Sequence, residues 1–133
     1  MRRFLLPVLI FLSVALPAAA ADAVRERLDA YRAAGAGEFS AARGEAMWTR
    51  QQGARAPDRA ESCATCHTPN LTQPGEHFRT GKPIAPLAPS VNAERLTDTA
   101  KMEKWFLRNC KGTWGRECTP QEKGDFLTYM KAQ

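Results

Sequence analysis

Histidine is scarce in this chain. Only His67 and His77 occur in 133 residues, and the four cysteines fall into two separated pairs, Cys63 with Cys66 and Cys110 with Cys118. A structural zinc site needs four Cys or His ligands at matching spacing. Cys63 and Cys66 would find such partners only in His77 and the distant second pair. Alternating apolar and polar runs are missing too, so no sheet is indicated, nor the βαβ pattern that accompanies a thioredoxin-like redox pair. Massed charge of one sign is also absent: the 19 Lys and Arg are scattered among the 14 Asp and Glu for a formal net charge of +5. That distribution argues against a nucleic-acid partner.

One long apolar run exists, Phe4 to Leu16 (FLLPVLIFLSVAL), preceded by Arg2 and Arg3 and followed by Pro17 and Ala18 to Ala21. A basic start, a short apolar stretch and an A-x-A site together describe a secretory signal peptide. A membrane anchor would need about 20 apolar residues. The sequence thus predicts a signal peptide over residues 1–21, cleaved near Ala21, and one domain over 22–133, placed in the periplasm, where disulfides persist.

Glu61 to His67 reads ESCATCH and contains C-x-x-C-H at Cys63, Cys66 and His67. Two thiols at this spacing can add across the two vinyl groups of a haem, while the adjacent imidazole reaches the iron. The expectation is one covalently bound haem c, held by Cys63 and Cys66, with His67 as proximal iron ligand. Its other ring nitrogen is expected to donate to a carbonyl of the proline-rich segment Leu71 to Asn92. Arg79 and Lys82, in that same segment, are candidates for the haem propionates or for a plain solvated loop.

Four helices are expected around this motif. Asp22 to Ala34 carries Val24, Leu28 and Tyr31 at helical spacing and stops at Gly35. Ser40 to Gln51 begins with a capping serine, and Asp98 to Asn109 follows Thr97 as N-cap. The last helix is announced by Thr119-Pro120-Gln121-Glu122, a capping box with proline at N1. Gly44 and Trp48 on an early helix, the C-x-x-C-H motif, and a last helix reading EKGDFLTYMK resemble the class I cytochrome c fold. The resemblance implies an all-α domain with one extra N-terminal helix, in which Gly44 lets the last helix cross closely beside Trp48 and Tyr129.

Such cytochromes usually supply a distal methionine from the loop before the last helix, here CKGTWGRECT over residues 110–119. It holds neither Met nor His. Met47 and Met130 fall at helical core positions; Met102 shares a stripe with Trp105 and Phe106; His77 sits in the wrapping loop; Lys111 would first have to lose its proton. Asn109 remains, at the expected end of the third helix, where a helix cap is the plain reading. Cys110 and Cys118 are an even pair in an oxidising compartment, and a bridge would close a small ring beside Asn109, stabilising it by about 2.5 kcal/mol.

The stretch WFLRNCKGTWGREC, with RGEAMWTRQ, SCATCHTPNLTQPG, GKPIAPLAPS and TPQEKGDFL, is similar to the sphaeroides haem protein family, oxygen-binding class I c-type cytochromes. The resemblance spans nearly all of residues 22–133. It implies that Asn109 is the distal iron ligand and that Cys110 and Cys118 form the disulfide beside it. An amide oxygen is a hard neutral donor, suited to ferric iron and poorly held by ferrous iron. The implied function is an electron-accepting periplasmic cytochrome that releases Asn109 on reduction and binds dioxygen, nitric oxide or a similar diatomic. A dihaem cytochrome c is the implied electron donor, itself supplied by a membrane cytochrome b. Two alternatives stay open: an ordinary six-coordinate electron carrier, and a small haem oxidoreductase acting on oxygen, peroxide or nitric oxide.

Overall fold

The computed structural model describes residues 18–51 and 60–133. The expected signal segment up to Pro17 lies outside the described residues. Five helices and one pair of very short strands follow in order: α1 (Ala18–Ala33), α2 (Ala41–Trp48), α3 (Ala64–His67), β1 (Gly75–Glu76), β2 (Pro83–Ile84), α4 (Thr99–Trp114) and α5 (Pro120–Met130). The architecture is all-α, as expected, apart from the antiparallel pairing of Gly75 with Ile84 and Glu76 with Pro83.

Local signals explain most of the boundaries. Helix α1 starts four residues before Asp22 because Ala18 to Ala21 are the strongest helix formers available. Its buried stripe is Ala20, Ala23, Val24, Leu28 and Tyr31. The Ser40 hydroxyl accepts the Arg43 N–H at 3.2 Å and starts α2, which ends at Trp48 rather than at Gln51. Asp98, not Thr97, caps α4: its carboxylate accepts the Lys101 N–H at 2.8 Å, while the Thr97 hydroxyl donates back to the Glu94 carbonyl. At α5 the capping box forms as read from sequence, with Thr119 and Glu122 each bonding the other's backbone N–H.

Helix α4 departs furthest from expectation. It does not stop at Asn109 but continues to Trp114, and Gly115 ends it with a left-handed φ of +70° and an N–H to the Lys111 carbonyl at 3.1 Å. Only a short link then remains before Thr119.

The core forms where α2 crosses α5, with α1 and α4 packed beside them. A Cβ on Gly44 would lie 2.3 Å from the Asp125 carbonyl oxygen and 2.8 Å from the Tyr129 Cβ, so the crossing requires glycine. Trp48 then meets Phe126 at 6.2 Å and Tyr129 at 6.3 Å between ring centroids. Asp125 is only 2 % exposed and is held by the Arg43 guanidinium at 2.8 Å and the Ser40 N–H at 2.7 Å. A buried carboxylate is tolerable only with such partners. Met47 and Met130 are buried in this core, in the packing role expected of them.

Three helices meet at Glu103 on α4. Tyr31 of α1 donates to one of its oxygens and Lys123 of α5 to the other at 2.7 Å. Burial pushes the Glu103 carboxyl up, but the bonds from Lys123 and Tyr31, with the Lys123 and Arg27 charges, outweigh it and hold it below the ordinary range.

Candidate haem site

The C-x-x-C-H residues lie on the single turn of α3, with Cys63 at its N-cap and Cys66 and His67 within it. Both thiols are free and half-buried. Burial pushes the Cys63 thiol up to about 12, so it stays protonated. His67 is lowered to about 4, chiefly by burial and further by the Arg95 charge, which keeps the imidazole in the neutral form that binds metal.

Two non-local contacts hold this turn. The Trp48 indole N–H donates to the Thr68 carbonyl at 2.8 Å, and its ring centroid lies 5.7 Å from that of His67. On another side Gly75 packs against the turn so closely that a Cβ there would sit 2.0 Å from the Cys66 carbonyl oxygen and 2.9 Å from the His67 Cα.

The bond expected from His67 to the proline-rich segment is not made: Nδ1 is buried and has no hydrogen-bond partner among the described residues. Two carbonyls of that segment are already occupied. Pro86 accepts from Arg95 Nε at 2.8 Å and from Asn92 Nδ2 at 3.1 Å, and Ala85 accepts from Arg95 Nη2 at 2.7 Å. The prolines of this segment lack an N–H, and Arg95 and Asn92 are the donors that reach its carbonyls at Ala85 and Pro86. Leu71, 1 % exposed, anchors the segment through its carbonyl, which accepts from Leu87 and Ala88.

Arg79 and Lys82 are exposed, with the Arg79 guanidinium 5.8 Å from the centre of the Phe78 ring. His77 belongs to the same turn. Its ring stacks on Phe78, and its Nδ1 accepts weak bonds from the Arg79 and Thr80 N–H groups at 3.4 Å. Those contacts give His77 a role in the turn.

Asn109 lies inside α4, not at its end. Met102, Phe106, Asn109 and Thr113 recur at helical spacing along one stripe. Met102 and Thr113 are buried and Phe106 is half-buried, whereas Asn109 is exposed. The next residue, Cys110, is bridged to Cys118 with a Cα–Cα distance of 5.6 Å, and both cysteines are buried. Around this corner Lys111 pairs with Glu117 at 3.2 Å, and Trp114 packs on Phe126 with a centroid distance of 5.7 Å. Arg108 lies over the exposed Trp105 ring at 5.2 Å.

The donor set fits a covalently attached haem: two unbridged thiols and a neutral imidazole on one turn, beside the half-buried apolar side chains Leu87, Leu96 and Phe106. It does not fit a bare metal ion, since no group of three His, Cys, Asp or Glu side chains able to hold one exists among the described residues. Sequence reasoning missed Gly75 and Arg95. Pro74-Gly75 could have flagged a turn, but nothing local to Gly75 announces that Cys66 lies against it. Arg95 is one cation among many until the fold brings it to Pro86.

Comparison with known proteins points to haem as the cofactor. A family described as a domain of unknown function, DUF1924, matches residues 34–130. The cytochrome c-type protein SHP of Cereibacter sphaeroides is 47 % identical over 118 residues, covering 88 % of this chain and 90 % of that protein. The structure of oxidized SHP, an oxygen-binding cytochrome c, superposes with a TM-score of 0.76 at 44 % identity, covering 83 % of this chain and 96 % of that one. Cytochrome c'' of Methylophilus methylotrophus is 45 % identical over 69 residues, 52 % of this chain and 48 % of that protein. Its oxidized crystal structure gives a TM-score of 0.71 at 32 % identity, over 86 % of this chain and 94 % of that one. A solution structure of the same cytochrome bears on haem-ligand detachment there. Identity, coverage and fold together place the chain in the SHP family of c-type cytochromes, with the class I cytochrome c fold and haem c as its cofactor.

Proposed function

We propose that this protein is an exported mono-haem cytochrome that accepts electrons and, once reduced, gives up its Asn109 ligand and takes up dioxygen or another diatomic molecule. The observation that carries the reading is the placement of Asn109. It is the exposed polar residue on a stripe of α4 whose other members, Met102, Phe106 and Thr113, turn towards the core.

Cys63 and Cys66 would tether the haem, and His67 would hold its iron. When bound, the haem iron supplies one-electron redox chemistry and a coordination position. Asn109 offers that position a neutral amide oxygen, a hard donor that suits ferric better than ferrous iron. Because Asn109 stands within a helix and beside a crosslink, its backbone is fixed and release is a rotation of its side chain. The displaced amide stays close and keeps an N–H to offer an incoming ligand. Support from relatives is twofold: oxidized SHP is an oxygen-binding cytochrome c, and cytochrome c'' has been studied for haem-ligand detachment.

The apolar run Phe4 to Leu16 supports export to the periplasm. A dihaem cytochrome c, fed from a membrane cytochrome b, is the proposed electron donor. A second reading, a permanent Met102 ligand in a plain electron carrier, draws on the burial of Met102 along the same stripe.

Optical spectra of the holoprotein, oxidised and then reduced anaerobically with carbon monoxide added last, test this. The expected ferric form is six-coordinate and becomes high-spin and reactive to carbon monoxide on reduction. Asn109→Ala is expected to alter the ferric spectrum and leave the reduced one nearly unchanged. A ferrous form that stays low-spin and ignores carbon monoxide overturns the proposal.

A further inference from the structure

A ligating histidine is ordinarily oriented by a hydrogen bond from its other ring nitrogen. His67 has none: Nδ1 is buried and without a partner among the described residues. Among the described residues it is packing that meets the ring, and two elements of the fold close on it. From α2, Trp48 binds the Thr68 carbonyl through its indole N–H at 2.8 Å and sets its ring 5.7 Å from the imidazole at an interplanar angle of 41°. From β1, Gly75 lies against the backbone of Cys66 and His67, with no space for a Cβ.

We infer that Trp48 and Gly75 are the positioning residues of the proximal ligand, and that this clamp sets the angle of the His67 ring. Three features make the clamp specific. Thr68, whose carbonyl Trp48 holds, adopts a left-handed φ of +63° immediately after His67, a conformation uncommon for threonine that needs fixing from outside. Trp48 is itself buried and packed between Phe126 and Tyr129 of α5, so it cannot retreat. The β1–β2 pairing of Gly75 with Ile84 holds the opposing backbone in register. The α2–α5 crossing thus reaches the proximal ligand through one indole ring.

This inference rests on His67 being the proximal ligand, and the test separates the two ideas. The proton NMR spectrum of the ferric holoprotein contains hyperfine-shifted haem methyl resonances whose spread and order report the angle of the axial imidazole plane. Trp48→Phe keeps a ring but removes the N–H, and is expected to change that spread or order. Gly75→Ala presses on Cys66 and His67 from another side and is expected to do the same, which provides the test should Trp48→Phe fail to mature. Thr119→Ala, which removes the cap of α5 and touches neither Trp48 nor Gly75 in any hydrogen bond among the described residues, is expected to lower the thermal midpoint with the methyl pattern unmoved. If Trp48→Phe and Gly75→Ala lower the midpoint but keep the wild-type methyl pattern, as Thr119→Ala does, their role is only structural and the inference falls. Labelling with 15N-histidine in His77→Gln decides the other question: without a hyperfine-shifted histidine nitrogen, His67 is not the ligand and the functional proposal falls as well.

Discussion

The two flanks of the candidate site are held in opposite ways. The segment after His67 is irregular, rich in proline, and stitched by side chains that reach backbone carbonyls: Trp48 to Thr68, Asn92 to Pro86, Arg95 to Ala85 and Pro86. The corner around Asn109 is regular. A helix, a disulfide, a capping box and the paired bonds of Arg116 to Glu122 at 2.7 and 2.8 Å fix its backbone. The difference teaches where motion is permitted. A backbone held by scattered side-chain contacts can be retuned by one substitution at a distance, whereas a crosslinked and capped corner offers few such points of adjustment.

The largest effect that would break this contrast is removal of the crosslink. Cys110→Ser with Cys118→Ser is expected to cost about 2.5 kcal/mol in chemical denaturation, with amide hydrogen exchange accelerated over residues 109–122 and unchanged over 83–97. Arg95→Ala is the matching cut on the other flank. It leaves two carbonyls without their charged donor, so a loss of about 2 kcal/mol is expected, with the exchange pattern reversed. Equal acceleration on both flanks in either variant would show that they unfold as one unit.

Smaller effects sharpen the comparison. Thr119→Ala removes one half of the capping box and is expected to lower stability by about 1 kcal/mol at the regular corner alone. The acid limb is the finest probe. Hydrogen bonding from Arg116, then the Thr119 N–H and the Arg116 charge, holds Glu122 below its ordinary pKa against the opposing effect of burial. A carboxyl depressed by folding contributes stability that is complete above its unfolded pKa, about 4.3, and disappears as pH falls through its folded value. Glu122→Gln is therefore expected to flatten the loss of stability below about pH 4.3. An unchanged acid limb in that variant would place the acid sensitivity elsewhere, Glu103 being the next group held low.

Local signals made much of this fold legible before any coordinates. Ser40 and the Thr119–Glu122 box announce their helices because a cap is a bond between near neighbours. Gly44, Trp48 and Tyr129 were readable through family resemblance and do meet. The end of α4 was not legible. The family resemblance made residues 110–119 read as the loop before the last helix, but Gly112 costs a helix only about 1 kcal/mol, and burial of Cys110 and Thr113 accompanies the continued helix. Ala18 to Ala21 suited both a cleavage site and a helix start, and composition could not separate the two. The contacts around His67 were invisible for a different reason. Trp48 to Thr68 and Gly75 to Cys66 are non-local, and each partner looks ordinary in its own stretch of chain.

The disulfide also bears on how the molecule is put together. Four cysteines allow three pairings, and any that consumed Cys63 or Cys66 would spoil the place where a cofactor is to be joined. Cys110 and Cys118 are only eight positions apart, and so short a loop closes at little entropic cost. With those two sulfurs bound to each other, the only thiols left on the chain are Cys63 and Cys66. The crosslink that stiffens one flank also leaves a single pair of free thiols, so the proposed haem attachment would have one address.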